Sequence, residues 1–252
     1  MRWARALSVA SLPLVLYGCF AKPVVLDSDV PRGHIVVQAG KAGFVIAAPH
    51  GTTDPGTGDL AAEIARRTGF GLVVAAGFAI DPDSSQGPGR RFQVNRPLEG
   101  APGRPPAEEV SSDSAQQIYL AYEKRVQEAA QGRLTFYVEI HGNSRRESAT
   151  RIEIATVGVD REFAQRLRTL LELIRDAHLR GHPGTPKLEI VIEPADKIFY
   201  AASGAKRDGI LRWPMRALHF ELPRVARQAA REPYVAILSE FLAEAAALPA
   251  GR

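Results

Sequence analysis

One cysteine, Cys19, stands in a chain of 252 residues, so no disulfide can form within it. The formal charge is +4, yet no basic run is interleaved with aromatics. The positive charge is largely arginine scattered along the chain, which argues against a nucleic-acid surface. Internal repeats are absent. No Gly-x-Ser-x-Gly elbow occurs, so Ser144, after His141-Gly142-Asn143, lacks the turn a serine esterase needs. The N-terminal apolar stretch, Ala6 to Tyr17, is too short to span a bilayer.

With 45% hydrophobic and 24% charged residues, the balance is that of a globular chain able to bury a core. Arg2 and Arg5, set before Ala6 to Tyr17, make the positive and apolar regions of a secretory signal. Leu16-Tyr17-Gly18-Cys19 resembles a bacterial lipobox, in which Cys19 is lipidated and begins the mature chain. The expectation is an exported lipoprotein, anchored through Cys19 to a membrane of the bacterial cell envelope and facing the periplasm. Residues 1–19 are then the signal and 20–33 a linker.

From residue 34 to 252 strand and helix signals alternate without a break, which predicts a single α/β domain with a mixed sheet between helices, in three layers. His34 to Gln38 and Phe44 to Ala48 read as strands, and the glycines between them predict a hairpin. Thr57 or Asp59 is placed to cap a helix that runs to Thr68. Leu72 to Ile80 reads as a buried strand, and the Pro- and Gly-dense residues 98–110 as a surface loop. Ser112 opens a helix with Ile118, Leu120, Ala121, Val126 and Ala129 in phase. Leu134 to Ile140 is a second central strand. Arg151 to Val157 alternates as a strand with one solvated face. Asp160 caps a long amphipathic helix, Leu188 to Ile192 is a further strand, Ala217 to Leu222 another, and Glu232 to Ala247 a closing helix.

Three strand ends carry chemistry. Phe44 to Ala48 runs through Pro49 into His50-Gly51, Phe136 to Ile140 into His141-Gly142, and Ala217 to Phe220 into Glu221. The carboxyl edge of an open α/β sheet is where such folds build their sites. A zinc ion with one open position takes about three protein ligands from His and carboxylate. His50 and His141 are candidates for two; Asp54, four residues past His50, is the first candidate for the third, and Asp59 the alternative. Glu221 suits a general base that moves a proton to a leaving amine. Arg91, Asn95 and Arg96 form a cluster fit to hold a substrate carboxylate, because guanidinium binds carboxylate bidentately.

Pro49-His50-Gly51, Arg91-x-x-x-Asn95-Arg96-Pro97, Glu139-Ile140-His141-Gly142 and Phe220-Glu221-Leu222-Pro223-x-x-x-Arg227 together resemble the N-formylglutamate amidohydrolases and their relatives. The resemblance runs from about Phe44 to the last helix. It implies a zinc carboxypeptidase-like α/β fold, of the phosphorylase/hydrolase-like kind. It implies one zinc ion on His50, His141 and an acidic residue of the 54–59 loop, with Glu221 as proton shuttle. It also implies that Asn95 and Arg96 bind a substrate carboxylate; in the mechanism expected here Arg96 or Arg91 holds that carboxylate and stabilises charge. The sequence departs from the pattern at Thr53, where the family has a metal-binding glutamate three residues after the first histidine.

The expected function is zinc-dependent hydrolysis of an amide bond next to a carboxylate, in acylated amino acids, γ-glutamyl compounds or peptidoglycan-derived peptides. A carboxypeptidase-like exopeptidase on the same site is the nearer rival. A non-catalytic, ligand-binding lipoprotein on the same fold is the other.

Overall fold

A computed structural model describes residues 25–26, 32–81, 89–102, 104 and 106–249. The expected signal peptide and Cys19, the expected lipidation site, lie outside the described residues. In chain order the elements are β1 (Val25–Leu26), β2 (His34–Gln38), β3 (Lys41–Ala48), α1 (Thr57–Thr68), β4 (Phe70–Ala76), β5 (Ala79–Ile80), β6 (Arg90–Phe92), β7 (Glu99–Gly100), α2 (Asp113–Ala130), β8 (Phe136–Gly142), β9 (Arg151–Val157), α3 (Arg161–Leu179), β10 (Glu189–Ile192), α4 (Ser203–Asp208), β11 (Arg216–Leu222), α5 (Arg224–Arg227) and α6 (Arg231–Ala247).

Eight strands form one mixed sheet in the order β1-β2-β4-β3-β8-β11-β9-β10. Its centre, β4-β3-β8-β11, is parallel, while β2 and β9 run antiparallel to their inner neighbours. On one face Ile46, Val138, Ile140, Leu218 and Phe220 pack among residues of α1, α3 and α6. On the other, Val45, Ala47, Tyr137 and Ala217 pack with Ile118, Tyr122 and Val126 of α2. Because both faces are covered, the central strands read as continuous apolar runs. The three-layer α/β expectation is met. A separate three-stranded sheet, β5-β6-β7, stands beside the main one.

Several local expectations are corrected. β2 and β3 make no hairpin: β4 lies between them, and β3 pairs in parallel with β4 and β8. A strand buried on both faces is better used at the centre, with α1 as the crossover to β4. Neither Thr57 nor Asp59 caps α1, which starts at Gly56 in the left-handed region (φ 85°). The Thr57 hydroxyl instead donates to the Asp54 carbonyl at 2.7 Å. β4 stops at Ala76, because Gly77 turns with φ 80° and sends Ala79–Ile80 into the small sheet. On α2, Leu120 faces solvent and Tyr119 and Tyr122 face inward. β9 is buried along its centre, being flanked by β10 and β11. Ser112 and Asp160 do cap their helices, accepting from the amides of Ala115 at 3.1 Å and Phe163 at 2.7 Å.

The caps give a direct comparison. Asp160→Ala should cost about 1 kcal/mol of stability, because an amide loses its acceptor. Asp59→Ala, which removes only a first-turn charge, should cost no more than a few tenths. Urea unfolding midpoints of the two variants measure the difference.

Candidate metal centre

The face of the sheet toward α2 changes character along its strands. Val45, Ala47, Tyr137 and Ala217 are apolar or phenolic, and beyond them the same face carries Glu139, His141, His219, Glu221 and Glu153. The register sets their neighbours: His219 stands beside Glu139, and Glu221 beside His141 on one side and Glu153 on the other. Strand spacing is about 4.8 Å, so these side chains meet.

His50 enters from the turn after β3, with Asp54 one loop turn on. His50 Nδ1 and His141 Nδ1 lie 3.2 Å apart. Asp54 Oδ2 is 3.5 Å from the first and 3.6 Å from the second. All three residues are buried. Four-coordinate zinc with bonds of about 2.0–2.2 Å sets its ligand atoms about 3.4 Å apart, so this triangle has the edges of such a site.

The second nitrogen of each histidine is spoken for. His50 Nε2 donates to the Gln93 carbonyl at 3.0 Å, and His141 Nε2 donates to Glu139 Oε2 at 3.1 Å. These bonds fix both rings with Nδ1 toward Asp54, as outer partners of metal-binding histidines do. The Gln93 carbonyl is presented by a strained turn. Val94, β-branched, has φ 54°, and Asn95 next to it donates to Glu139 Oε2 at 3.1 Å. One turn thus braces both histidines.

Positive charge gathers where a cation fits. Arg91 Nη2 is 2.9 Å from His50 Nδ1 and 3.5 Å from Asp54 Oδ1. Burial and the Arg91 charge lower the His50 pKa to about 4, leaving it neutral. Burial also opposes charge on His141, but hydrogen bonds to Asp54 and Glu139 carry its pKa up to about 10. For Asp54, burial works against ionisation and loses to the two histidines, so its pKa is well below the usual range. The donor set of one neutral imidazole, one imidazole holding a displaceable proton and one carboxylate fits zinc.

A second cluster of possible ligands, Glu139, His141 and His219, is a hydrogen-bonded network. Glu139 is fully buried, and its Oε2 accepts from Asn95, His141 and His219 Nδ1, the last at 2.8 Å. Its Oε1 accepts from the Tyr137 hydroxyl at 3.1 Å, which in turn accepts from Tyr122 at 2.9 Å. Burial and the nearby Glu139 charge push both phenols up, so they remain donors. His219 stacks on His141 (4.1 Å between centroids), with its Nε2 3.2 Å from Glu221 Oε1.

Arg227 ties the loops together. Buried, it donates to the carbonyls of Leu222 at 3.1 Å, Asn143 at 3.5 Å and Pro55. Those residues adjoin Glu221, His141 and Asp54.

The structure brings together His50, Asp54, His141, Arg91 and Glu221. Asp59, the alternative ligand, is exposed and outside the cluster, its carbonyl accepting from Arg231. Asn95 and Arg96 do not meet at an open carboxylate site. Asn95 is fully buried, with its amide on Glu139 and its Oδ1 on Arg96. Arg96 Nε and Nη2 go to Glu109, at 3.0 and 2.7 Å, and its Nη1 to Asn95. Sequence reasoning gave no role to Glu139 or His219. Each stands two residues before a site residue on a strand, hence on the same face, and that spacing was the available signal. The Gln93 carbonyl carries none.

No family model and no curated protein matches the sequence. Among solved structures, a bacteriophage poly-gamma-glutamate hydrolase is 14% identical over 88% of this chain and 90% of its own, with a TM-score of 0.47. The zinc-free apo form of YndL is 12% identical over 85% and 90%, with a TM-score of 0.49. Gene product Atu2144 from Agrobacterium tumefaciens is 16% identical over 84% and 91%, with a TM-score of 0.44. At such scores these likenesses carry no argument about chemistry; the site's own atoms do.

His50→Ala and His141→Ala should each abolish zinc retention after dialysis, while Asp59→Asn should keep it, as measured by elemental analysis. Zinc affinity should also depend on pH. The proton on His141 must leave before Nδ1 binds a cation, and His50 is already neutral, so affinity should rise about tenfold per unit between pH 6 and 8. Competition with a chromophoric chelator at several pH values would show a flat profile if this assignment is wrong.

Proposed function

We propose that this chain is a zinc-dependent hydrolase of an amide bond that lies beside a carboxylate. The observation that carries the reading is the triangle of His50 Nδ1, His141 Nδ1 and Asp54 Oδ2, with Glu221 one strand from His141 on the same face. Zinc held there would polarise the amide carbonyl and acidify a water. Glu221 takes the water's proton and delivers it to the leaving amine. Its Oε1 is tied to His219, so the transfer falls to Oε2. Arg91, beside His50 and Asp54, supplies positive charge near the carbonyl oxygen as that atom becomes negative.

The substrate class is acylated amino acids, γ-glutamyl compounds or short peptides with a free carboxylate, in the manner of the N-formylglutamate amidohydrolases that the motifs resemble. The export signal and Cys19 anchor read from the sequence favour substrates of the cell envelope over a cytoplasmic acyl amino acid.

Zinc-loaded protein should hydrolyse at least one of N-formylglutamate, γ-glutamyl peptides and peptidoglycan-derived peptides, and lose activity to a chelator. Glu221→Gln should keep its zinc and lose about 100-fold or more in kcat. Full zinc occupancy with no turnover on any of these would point instead to a ligand-binding lipoprotein.

A further inference from the structure

We propose that Arg145, laid over the ring of Phe199, is the group that recognises the substrate carboxylate, on the flank of the site beyond Glu221. The inference rests on the hydrolase reading and adds which residue reads the substrate. Asn95 and Arg96 are spent on Glu139 and Glu109, and Arg91 faces the opposite flank at His50 and Asp54. On the β9 side, Glu221 pairs in register with Glu153. Residues so paired share a face with Cβ atoms about 5 Å apart.

Glu153 is buried, and its two oxygens are used differently. Oε1 accepts from Ser148 at 2.7 Å and Arg151 at 2.8 Å. Oε2 accepts from the backbone amides of Phe199 at 2.8 Å and Tyr200 at 3.1 Å. The Phe199–Tyr200 segment is therefore tied to the strand beside Glu221. Arg145, four residues past His141, reaches that segment, with its guanidinium carbon 3.5 Å from the Phe199 ring centroid. Stacking fixes the plane of the fork, and a fixed planar fork suits a bidentate carboxylate. The Phe199 ring beneath it is 53% exposed. Among the described residues the fork is not otherwise consumed: its Nη2 is 3.6 Å from the exposed Glu147, and its Nε is buried with no partner among them. The arrangement is a cation on an aromatic platform, with unmet donor capacity, over a segment tied through Glu153 to the strand beside the proposed proton shuttle.

The test uses two metal-binding probes on the zinc-loaded chain, succinic monohydroxamate, which bears a carboxylate, and butyrohydroxamate, which does not. Calorimetry should give a preference of about tenfold or more for the first probe in the wild type. Arg145→Gln should abolish that preference while leaving zinc content and affinity for butyrohydroxamate unchanged. Arg145→Lys should restore part of it. Phe199→Leu, which removes the platform and keeps the charge, should weaken it, and this variant decides the matter if Arg145→Gln does not fold. A preference that survives Arg145→Gln, or disappears only in Arg91→Gln, overturns the assignment. Binding of butyrohydroxamate with no preference in the wild type refutes the role of Arg145 and leaves the metal site standing. Failure of both probes on protein that holds no zinc refutes the hydrolase reading as well.

Discussion

The carboxylate of Glu139 has no solvent contact and accepts hydrogen bonds from Asn95, Tyr137, His141 and His219. A buried charge of this kind is tolerated only when its lone pairs are filled, and here four donors fill them. The arrangement of the centre follows. Glu139 commits one nitrogen of His141 and one of His219, so the other nitrogen of each points where chemistry is proposed. It holds the Asn95 turn, in which Gln93, two residues earlier, holds His50 through its carbonyl. Removing this carboxylate would leave two rings, an amide and a phenol without an acceptor in one buried volume.

Around that anchor the fold supplies location more than chemistry. Parallel strands end together, and the face toward α2 passes from an apolar interior to a row of titratable groups as β3, β8 and β11 approach their carboxyl ends. Negative charge on Asp54, Glu139 and Glu153 is met by Arg91, Arg227, Arg151 and the His141 proton. None of these cations is a surface lysine. Arginine is the less costly cation to desolvate and the better one at fixed geometry.

Much of this was legible in the sequence, for a physical reason. Strands buried on both faces must be apolar, so Phe44 to Ala48 and Phe136 to Ile140 declare themselves, and a histidine ending each run stands out. What was not legible depends on atoms that sequence patterns do not encode. The Gln93 carbonyl matters through its backbone, and any residue type could present it. Arg96 looked like a carboxylate binder because nothing in the sequence near it names Glu109 as its partner. The misplaced hairpin has the same origin: glycines mark a turn between β2 and β3 but do not say which strand lies between them. Asp54 and Asp59 were separated only by the exposure of one and the burial of the other.

The contact of Arg227 with Gly142 has a further consequence. A Cβ placed on Gly142 would lie 2.5 Å from the guanidinium carbon, and one placed on Gly56 would lie 2.9 Å from the Arg227 carbonyl. The arginine and the two glycines therefore occupy one shared volume, although they are distant in the chain. Along a line of descent positions 142 and 227 are coupled, since a side chain at 142 expels the guanidinium and a lost guanidinium frees Gly142 to drift, whereas Gly56 is held by the backbone carbonyl at 227 and by its own positive φ. Joint retention of Gly56, Gly142 and Arg227 among related chains would record a continuing need for the three loops to stay joined. Joint loss would mark lineages in which the centre has been given up while the sheet persists.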